Sequence, residues 1–241
     1  MDHLRRPLDR HGFAAVPLPA AAGARAGELR AGVPALLQCP ADIRALAELA
    51  DAWAPSPTDR AAVVWSQRAS GDPRGGKSHL QTVTGFDRFA LADDRTPALL
   101  RAVLGRMATF GAAARRLLTG LDVPMRCTVR ANVYEDGGSV PTHVDESALT
   151  IVFTDQPGSL LVGRGGQRSP LRRVPGDGWH AVVLPGGEVG ELLPGVVPSP
   201  HAAVPAIGGR RLSISVFARA GGSTLTESTS RAAARRPTVA A

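Results

Sequence analysis

The pattern of apolar and polar positions divides the chain into a helical first half and a strand-rich second half. Between Pro97 and Gly120, apolar residues recur mostly at three- and four-residue intervals, which is typical of a helix that buries one face. The apolar stripe consists of Leu100, Val103, Leu104, Met107, Phe110, Ala114, Leu117 and Leu118. Thr96 could cap this helix with Pro97 at its first position, and Gly120 could end it.

Three further segments complete the first half of the chain. Residues 13–17 are short and apolar and could form an opening strand, and residues 42–51 read as an amphipathic helix. Residues 55–78 are rich in proline and glycine, which predicts a long loop. Loops of that length inside a compact domain are often functional, commonly as lids over a site.

From residue 125 onward the chain consists of short apolar segments separated by glycine and proline. The predicted strands are residues 126–134, 148–153, 159–163, 179–184, 188–193, 200–204 and 211–218. Many short strands at close spacing are typical of a sandwich or barrel. We therefore expect one domain over residues 1–220, in which a helical and loop part, 1–124, packs on a barrel core, 125–220. The Ser-, Thr-, Ala- and Arg-rich residues 221–241 are predicted to form a disordered tail.

The bulk composition is that of an ordinary globular protein. The chain has 241 residues, of which 44% are hydrophobic and 20% are charged, so it can bury a sizeable core. Its two cysteines, Cys39 and Cys127, show no CxxC spacing, which fits a reducing compartment, and no apolar run is long enough to cross a bilayer. We expect a cytoplasmic protein with no membrane partner. A signal peptide over residues 13–26 is the weaker alternative, because Pro17 and Pro19 interrupt that segment.

The formal net charge of +7 is carried by arginine. Of the 28 basic residues only Lys77 is a lysine, a skew that indicates coding bias rather than a specific surface patch. A basic surplus can indicate nucleic-acid binding, but aromatic residues make up only 4% of the chain and no basic–aromatic stripe occurs. We therefore expect a solvated basic surface and no nucleic-acid partner, and an anionic small substrate is compatible with this charge.

A set of candidate metal ligands lies in the strand-rich half. His143 and Asp145 are two residues apart, a spacing that places both side chains on one face of a strand. His201 lies far enough along the chain for several strands to intervene, and Arg211 and Ser213 repeat the two-residue spacing. Two imidazoles and one carboxylate, with other positions of the ion open, suit non-haem Fe(II) oxygen chemistry. This pattern predicts a metal site formed by His143, Asp145 and His201.

The motif His143-x-Asp145, followed by the distal histidine and the Arg-x-Ser pair, resembles the signature of the 2-oxoglutarate- and Fe(II)-dependent oxygenases related to isopenicillin N synthase. Residues 143–162 are similar to the metal-binding strand and following hairpin of that family, and the resemblance extends over residues 125–218. The combined motif is far more specific than the first pair alone. It implies a mainly β fold with flanking helices, built on a double-stranded β-helix (jelly-roll) core.

The resemblance also implies an enzyme that uses Fe(II), 2-oxoglutarate and O2. In that family, oxidative decarboxylation of 2-oxoglutarate to succinate and CO2 is coupled to oxidation of a small-molecule substrate, while the protein contributes orientation and a shielded cavity. Related halogenases carry a small residue in place of the carboxylate ligand. Because Asp145 is present here, the resemblance implies hydroxylation, desaturation, epimerisation or cyclisation.

Four residues are candidates for binding the cosubstrate. Arg211 would take the distal carboxylate of 2-oxoglutarate through two parallel hydrogen bonds, which a lysine cannot reproduce, and Ser213 would add a third donor. Asn132 and Tyr134 resemble the Asn-x-Tyr segment that lies beside the cosubstrate in this family. An ordinary sheet tyrosine with its hydroxyl at the barrel mouth is an equally good interpretation of Tyr134.

The substrate-binding residues are expected in and after the long loop. The candidates are Trp65, Arg68, Arg74, Lys77, His79 and Gln81. Polar groups there could orient a small polar or acidic molecule, although long polar loops are often merely solvated. His180 is a rival third metal ligand, but no arginine follows it at the distance of the family pattern, so a strand histidine is the better interpretation. The preferred context is a bacterial enzyme that tailors a natural product or an amino-acid-derived metabolite.

Three other interpretations share part of this pattern. An AlkB-like nucleic-acid demethylase would carry a second arginine six residues after Arg211, where this chain has Phe217. An Fe(II) oxidase of the same fold that does not use 2-oxoglutarate also retains the Arg-x-Ser pair. A non-catalytic jelly-roll that binds metal or sugar would not need that pair.

Overall fold

Two antiparallel β-sheets enclose a cavity, and helices cover the outer side of the larger sheet. This architecture is seen in a computed structural model, which describes residues 2–53, 62–68, 76–121, 125–135, 137–165, 170–205 and 210–220.

The described helices belong mainly to the first half of the chain. They are α1 (Asp2–His11), α2 (Ala20–Gln38), α3 (Pro40–Trp53), α4 (Thr84–Ala92), α5 (Ala98–Leu117) and the single turn α6 (Val189–Leu192). A short 3₁₀ turn covers Pro157–Ser159. No helix in these ranges is both long enough and apolar enough to cross a membrane.

The strands are short, as the sequence pattern indicates. They are β1 (Ala14–Pro17), β2 (Val64–Gln67), β3 (Lys77–Val83), β4 (Met125–Tyr134), β5 (Val140–His143), β6 (Leu149–Thr154), β7 (Leu160–Val162), β8 (Arg172–Arg173), β9 (His180–Pro185), β10 (His201–Ala203) and β11 (Arg211–Ala220).

The strands form a major sheet in the order β1-β9-β6-β11-β4-β3-β2 and a minor sheet in the order β5-β10-β7-β8. From β4 to β11 the chain passes back and forth between the two sheets, and all strand pairs are antiparallel. This winding is the double-stranded β-helix, or jelly-roll. The expected fold class, a jelly-roll core with flanking helices, is confirmed.

Alternation along the central strands of the major sheet separates an apolar face from a polar one. The outer face, which packs against α2 and α5, carries buried apolar residues: Cys127, Val129, Ala131 and Val133 of β4, and Leu212, Ile214, Val216 and Ala218 of β11. The inner face carries Arg130 and Asn132 of β4 and Ser213 and Ser215 of β11, which line the cavity. Because successive side chains of a strand point to opposite faces, the strands that bury apolar residues against the helices also place polar groups between the two sheets.

Most of the predicted elements are confirmed. The long helix is α5, the amphipathic segment lies in α3, and the opening strand is β1. The capping role of Thr96 is wrong, because Pro97 occupies the N-cap position and the Thr96 hydroxyl instead donates a hydrogen bond to the carbonyl of Ala90 at 2.5 Å. That bond ties the start of α5 to the end of α4.

One predicted strand is wrong and several strands are additional to the prediction. Residues 188–193 contain the helical turn α6, which buries Val189 and Leu193 against the core. β5 and β8 were not predicted, because β5 has one apolar residue beside a proline and β8 consists of two arginines.

The predicted loop 55–78 is also partly wrong, because it contains β2 and the start of β3. The N-terminal part therefore contributes three strands to the major sheet in addition to its helices. The remaining loop residues, 54–61 and 69–75, lie outside the described ranges, as does the predicted tail 221–241. Cys39 and Cys127 are both free thiols.

Asp87 in α4 provides a test of how the helical side is packed. Its side chain is buried, and burial raises its pKa from 3.8 to about 6, against the lowering influence of the Thr82 hydroxyl and Arg115. A raised carboxyl pKa means that ionisation destabilises the folded state, so this cost is absent below pH 4 and complete above about pH 6. We expect Asp87→Asn to raise the free energy of unfolding by about 1–3 kcal/mol at pH 8, with the gain disappearing at pH 4.

Urea unfolding of both proteins at the two pH values measures this difference. Asp94→Asn, at an exposed position after α4, is the control and should leave stability unchanged at both. An equal gain for Asp87→Asn at pH 4 and pH 8 would show that packing, rather than ionisation, is responsible.

Candidate metal centre and cosubstrate pocket

Two histidines and one aspartate converge at one end of the minor sheet. His143, the last residue of β5, is paired directly with His201, the first residue of β10, and their ring centroids are 4.4 Å apart. Asp145 follows β5 by two residues, and its two carboxylate oxygens lie 3.4 Å from Nε2 of His143 and 3.3 Å from Nε2 of His201. The three potential ligand atoms all lie within 4.8 Å of one another.

Backbone carbonyls orient both imidazole rings in the same way. Nδ1 of His143 lies 2.9 Å from the carbonyl oxygen of Pro141, and Nδ1 of His201 lies 3.2 Å from that of Ser199. Because a carbonyl oxygen can only accept, each Nδ1 carries the proton in these contacts. In the neutral form of each ring, Nε2 then directs its lone pair at the space beside Asp145, as a histidine metal ligand requires.

The loop that carries Asp145 is held by several hydrogen bonds. The hydroxyl of Thr150 donates to Oδ2 of Asp145 at 2.6 Å and also contacts the hydroxyl of Ser147 at 2.8 Å. The backbone N–H of Gly187 donates to the Asp145 carbonyl at 2.7 Å. A Cβ at the adjacent Gly186 would lie 2.0 Å from the Ser147 carbonyl oxygen, so the close approach of these two loops requires glycine.

The electrostatics of the three residues favour a bound cation. Burial tends to raise the pKa of Asp145, but hydrogen bonds from the protonated forms of His143 and His201, and from Thr150, outweigh it and hold that pKa well below its usual range. Burial likewise tends to lower the pKa of His143, and the contact with Asp145 raises it on balance. The carboxylate therefore stays ionised, which is the state that coordinates a metal.

Arg211 lies in the same cavity with its charge incompletely compensated. Arg211 is 1% exposed, and its guanidinium stacks on the ring of Tyr134, with Cζ 4.1 Å from the ring centroid. Its Nη1 donates to the carbonyl of Val204 at 3.2 Å, while Nε and Nη2 are buried and have no hydrogen-bond partner in the described part of the chain. Burial lowers the pKa of this guanidinium, partly offset by Tyr134 and Asp155. Two unpaired buried donors are costly, and a carboxylate is the group that would satisfy both.

The structure brings the four candidate cosubstrate residues together. Arg211 is opposite Tyr134 and Ser213 is opposite Asn132 in the pairing of β11 with β4. The Asn132 side-chain amide donates to the Ser213 hydroxyl at 3.5 Å, and its own oxygen is buried and unpaired among the described residues. All four side chains line the cavity.

The cavity joins this group to the metal ligands. The empty space here amounts to about 600 Å³, including the open mouth of the cavity. Besides the polar residues, its wall contains Val140, Val152, Leu160, Ala203 and Phe217.

The candidate substrate residues are divided between the two faces of the major sheet. Lys77 lines the cavity, and its contact with a substrate stays a prediction. Trp65 pairs with Leu80 and packs against the hydrophobic core on the outer face, so it is a core residue rather than a cavity residue. The sequence did not show that Trp65 lies in a strand, so its direction could not be predicted.

Arg68, His79 and Gln81 lie near Lys77 on the chain without lining the cavity. Gln81 accepts a hydrogen bond from Nε of Arg130 at 2.7 Å, and the backbone N–H of Arg68 donates to the Lys77 carbonyl at 3.0 Å. His79 lies between Lys77 and Gln81 on β3. Burial, followed by the charges of Arg130, Lys77 and Arg68, lowers the pKa of His79 to about 3, so its ring is neutral at neutral pH. Arg74 lies outside the described residues.

Two site residues were missed from the sequence, and one rival is placed elsewhere. Arg130 lines the cavity and could have been found, since it lies two residues before Asn132 on the same face of β4. Thr150 carried no signal of its contact with Asp145. His180, the rival ligand, begins β9, where its Nδ1 lies 3.2 Å from the Gly178 carbonyl, and it does not belong to the group of three.

Comparison with known proteins shows similarity in structure rather than in sequence. No family model matches the sequence, and no match is found among curated proteins. A full-length Neurospora crassa protein, in complex with alpha-KG, aligns with a TM-score of 0.61 at 14% identity, over 91% of this chain and 78% of that one. A 2OG-Fe(II) oxygenase family protein of Caulobacter crescentus aligns with a TM-score of 0.60 at 18% identity, over 90% and 80%.

The dioxygenase for auxin oxidation of rice aligns with a TM-score of 0.51 at 22% identity, over 88% of this chain and 75% of that one. At these identities the alignments establish the fold. The chain has the double-stranded β-helix fold of the 2-oxoglutarate- and Fe(II)-dependent oxygenases.

Thr150 tests whether Asp145 is positioned for a metal. We expect Thr150→Val to weaken the binding of Mn(II) about tenfold, because the hydroxyl that orients the carboxylate is lost. Calorimetric titration of the metal-free protein measures the affinity. Thr128→Val is the control. Thr128 on β4 and Thr150 on β6 are both paired with Phe217 of β11, so the two threonines hold equivalent positions two strands apart in the major sheet. Equal Mn(II) affinity in the Thr150→Val and unaltered proteins would contradict this role of the hydroxyl.

Proposed function

We propose that the protein is an Fe(II)- and 2-oxoglutarate-dependent oxygenase that acts on a small molecule by hydroxylation, desaturation, epimerisation or cyclisation. One observation carries the proposal. Two Nε2 atoms and an ionised carboxylate converge in the same cavity as a buried arginine with two unpaired donors.

His143, Asp145 and His201 would hold the Fe(II) ion. Two neutral imidazoles and one carboxylate form the donor set that suits this metal and leaves its other positions open to small molecules. The backbone carbonyls behind both rings and the Thr150 hydroxyl behind Asp145 keep the ligand atoms in place. When bound, iron with 2-oxoglutarate and O2 supplies the oxidising chemistry.

Arg211 would bind the distal carboxylate of 2-oxoglutarate. Its planar guanidinium offers the two donors that have no partner in the described residues, and the Tyr134 ring restricts the plane in which it lies. The Ser213 hydroxyl and the Asn132 amide stand beside it on the cavity wall. These unpaired donors favour a 2-oxoglutarate enzyme over an oxidase of the same fold that does without this cosubstrate.

Several observations support a small-molecule substrate. The cavity wall combines a few polar side chains with the apolar residues Val140, Leu160 and Ala203, a lining typical of small-molecule sites. Among structures of similar fold, the Neurospora crassa protein is also seen with thymine, and JOX2 is seen with JA, 2OG and Fe. The position of the second arginine of AlkB-like demethylases is occupied by Phe217, whose ring lies 5.0 Å from the Arg130 guanidinium. A cytoplasmic bacterial enzyme that tailors natural products is the context that we favour.

Anaerobic addition of Fe(II) and 2-oxoglutarate tests the function. We expect a visible charge-transfer band of the chelate, which His143→Ala abolishes because a metal ligand is removed. Arg211→Ala should weaken 2-oxoglutarate binding about 100-fold, since one partner of a buried charge pair is lost. Arg211→Lys should restore little of this affinity, because an ammonium cannot form the paired hydrogen bonds.

Arg210→Ala is the matched control for the arginine variants. Arg210 precedes Arg211 but points to the surface, where Nε donates to Glu135 at 2.9 Å. Its replacement should leave the 2-oxoglutarate affinity unchanged. A band that persists in His143→Ala, or an affinity insensitive to Arg211→Ala, would refute the assigned site.

A further inference from the structure

Arg130 lines the cavity but belongs neither to the metal ligands nor to the proposed cosubstrate group. It lies near the middle of β4 on the inner face of the major sheet. In the register of the sheet it is paired with Gln81 of β3 on one side and with Ser215 of β11 on the other. Arg211 lies four residues from Ser215 along β11, a backbone separation of roughly 13 Å. Arg130 is therefore outside the row of the sheet that contains Arg211 and Tyr134.

Contacts from both neighbouring strands hold the Arg130 guanidinium in place. Its Nε donates a hydrogen bond at 2.7 Å to the side-chain oxygen of Gln81, which is itself 7% exposed. Its Cζ lies 5.0 Å from the ring centroid of Phe217, its diagonal neighbour across the pairing of β4 with β11. Because Phe217 is the residue of this pair farther from Arg211, the contact directs the guanidinium away from Arg211. The protein alone thus holds the group in one orientation.

Two donor atoms of this guanidinium remain available to a ligand. Because Nε is used by Gln81, the pair Nη1 and Nη2 is left, and neither atom has a hydrogen-bond or ion-pair partner among the described residues. The hydroxyl of Ser215, which is directly opposite Arg130 and lines the cavity, also has no hydrogen-bond partner within those ranges. The planar pair of donors matches the two oxygens of a carboxylate.

The Arg130 guanidinium lies on the side of the cavity that leads to the candidate metal centre. Phe217, which it covers, is paired on its other side with Thr150 of β6, and the Thr150 hydroxyl donates to Asp145 at 2.6 Å. Asp145 lines the same cavity, with its carboxylate directed at the two imidazoles rather than at Arg130. A ligand group on Nη1 and Nη2 would therefore lie in the part of the cavity that adjoins the metal, where a substrate has to be placed for oxidation.

The charges around the cavity favour an acid as the substrate. Three cations, Lys77, Arg130 and Arg211, line it, and Asp145 is the one carboxylate of its lining in the described ranges. Fe(II) and 2-oxoglutarate carry equal and opposite charges, so binding of both leaves this surplus unchanged. An anionic substrate would reduce the surplus, whereas a cationic substrate would add to it.

We propose that Arg130 orients the substrate, and that the substrate is a small carboxylic acid whose carboxylate binds Nη1 and Nη2 beside the Ser215 hydroxyl. Phe217 and Val152, which is paired with Ser215, supply apolar contacts for the rest of the molecule. Gln81 acts through Arg130 as a positioning residue. This inference rests on the proposed function, because it takes the rest of the cavity to hold iron and 2-oxoglutarate.

Matched pairs of acids and amides test this assignment. Benzoate, phenylacetate and cinnamate, each with its amide, are titrated anaerobically into the protein loaded with Fe(II) and 2-oxoglutarate, and binding is followed by perturbation of the charge-transfer band. We expect the best-bound acid to bind at least about tenfold more tightly than its amide, because a carboxylate forms charge-assisted hydrogen bonds with the guanidinium. Arg130→Met should remove this preference while changing the 2-oxoglutarate affinity by less than about threefold.

Gln81→Glu tests the same site with almost no change of shape. The introduced carboxylate would pair with Nε of Arg130 and compensate its charge, so the preference for acids should largely disappear although the packing is retained. Gln67→Glu is the matched control, because it adds the same charge at an exposed position at the end of β2. This control should leave the preference intact.

Two results would overturn the assignment. Equal binding of acid and amide in every pair would show that no carboxylate is recognised in the cavity. A preference that survives Arg130→Met, or that is lost in Lys77→Met instead, would place the carboxylate elsewhere in the cavity. A missing charge-transfer band in the unaltered protein would contradict the proposed function itself, so the two failures are distinguishable.

Discussion

The pairing of two short strands determines where chemistry can occur in this molecule. β5 and β10 are held edge to edge in the minor sheet, and their register sets His143 directly opposite His201. Asp145 then needs only the turn after β5 to reach both rings, and the Thr150 hydroxyl and the Gly187 N–H hold it there. The candidate metal centre is thus a consequence of strand register, which the winding of the jelly-roll imposes.

The major sheet contributes the complementary half of the cavity. Its outer face is apolar and packs on helices, so its inner face is free to carry polar groups without weakening the core. That face presents Arg211 beside Tyr134 and, farther along the strand, Arg130 beside Gln81. An anion bound in the cavity would offset the cost of burying this positive charge. The distal carboxylate of 2-oxoglutarate would supply such an anion at Arg211.

The sequence was informative where the spacing of two residues determined which face of a strand their side chains share. The two-residue spacings predicted that His143 and Asp145 would lie together, and likewise the Arg-x-Ser pair, because the period of a strand sets which side chains share a face. The prediction failed for Trp65, since β2 and the start of β3 were read as loop. β3 is polar because Lys77, His79 and Gln81 alternate onto the inner face of the major sheet, so the apolar signal of a strand is weak there. β5 was missed because its residues pair at an exposed edge, and its register depends on contacts that no local pattern records.

The most direct test of this account is a crystal structure of the protein grown anaerobically with Mn(II) and 2-oxoglutarate. The account predicts one anomalous peak within about 2.3 Å of Nε2 of His143, Nε2 of His201 and a carboxylate oxygen of Asp145, with the distal carboxylate of 2-oxoglutarate on Arg211. A metal peak away from these three atoms, or cosubstrate bound without contact to Arg211, would contradict it.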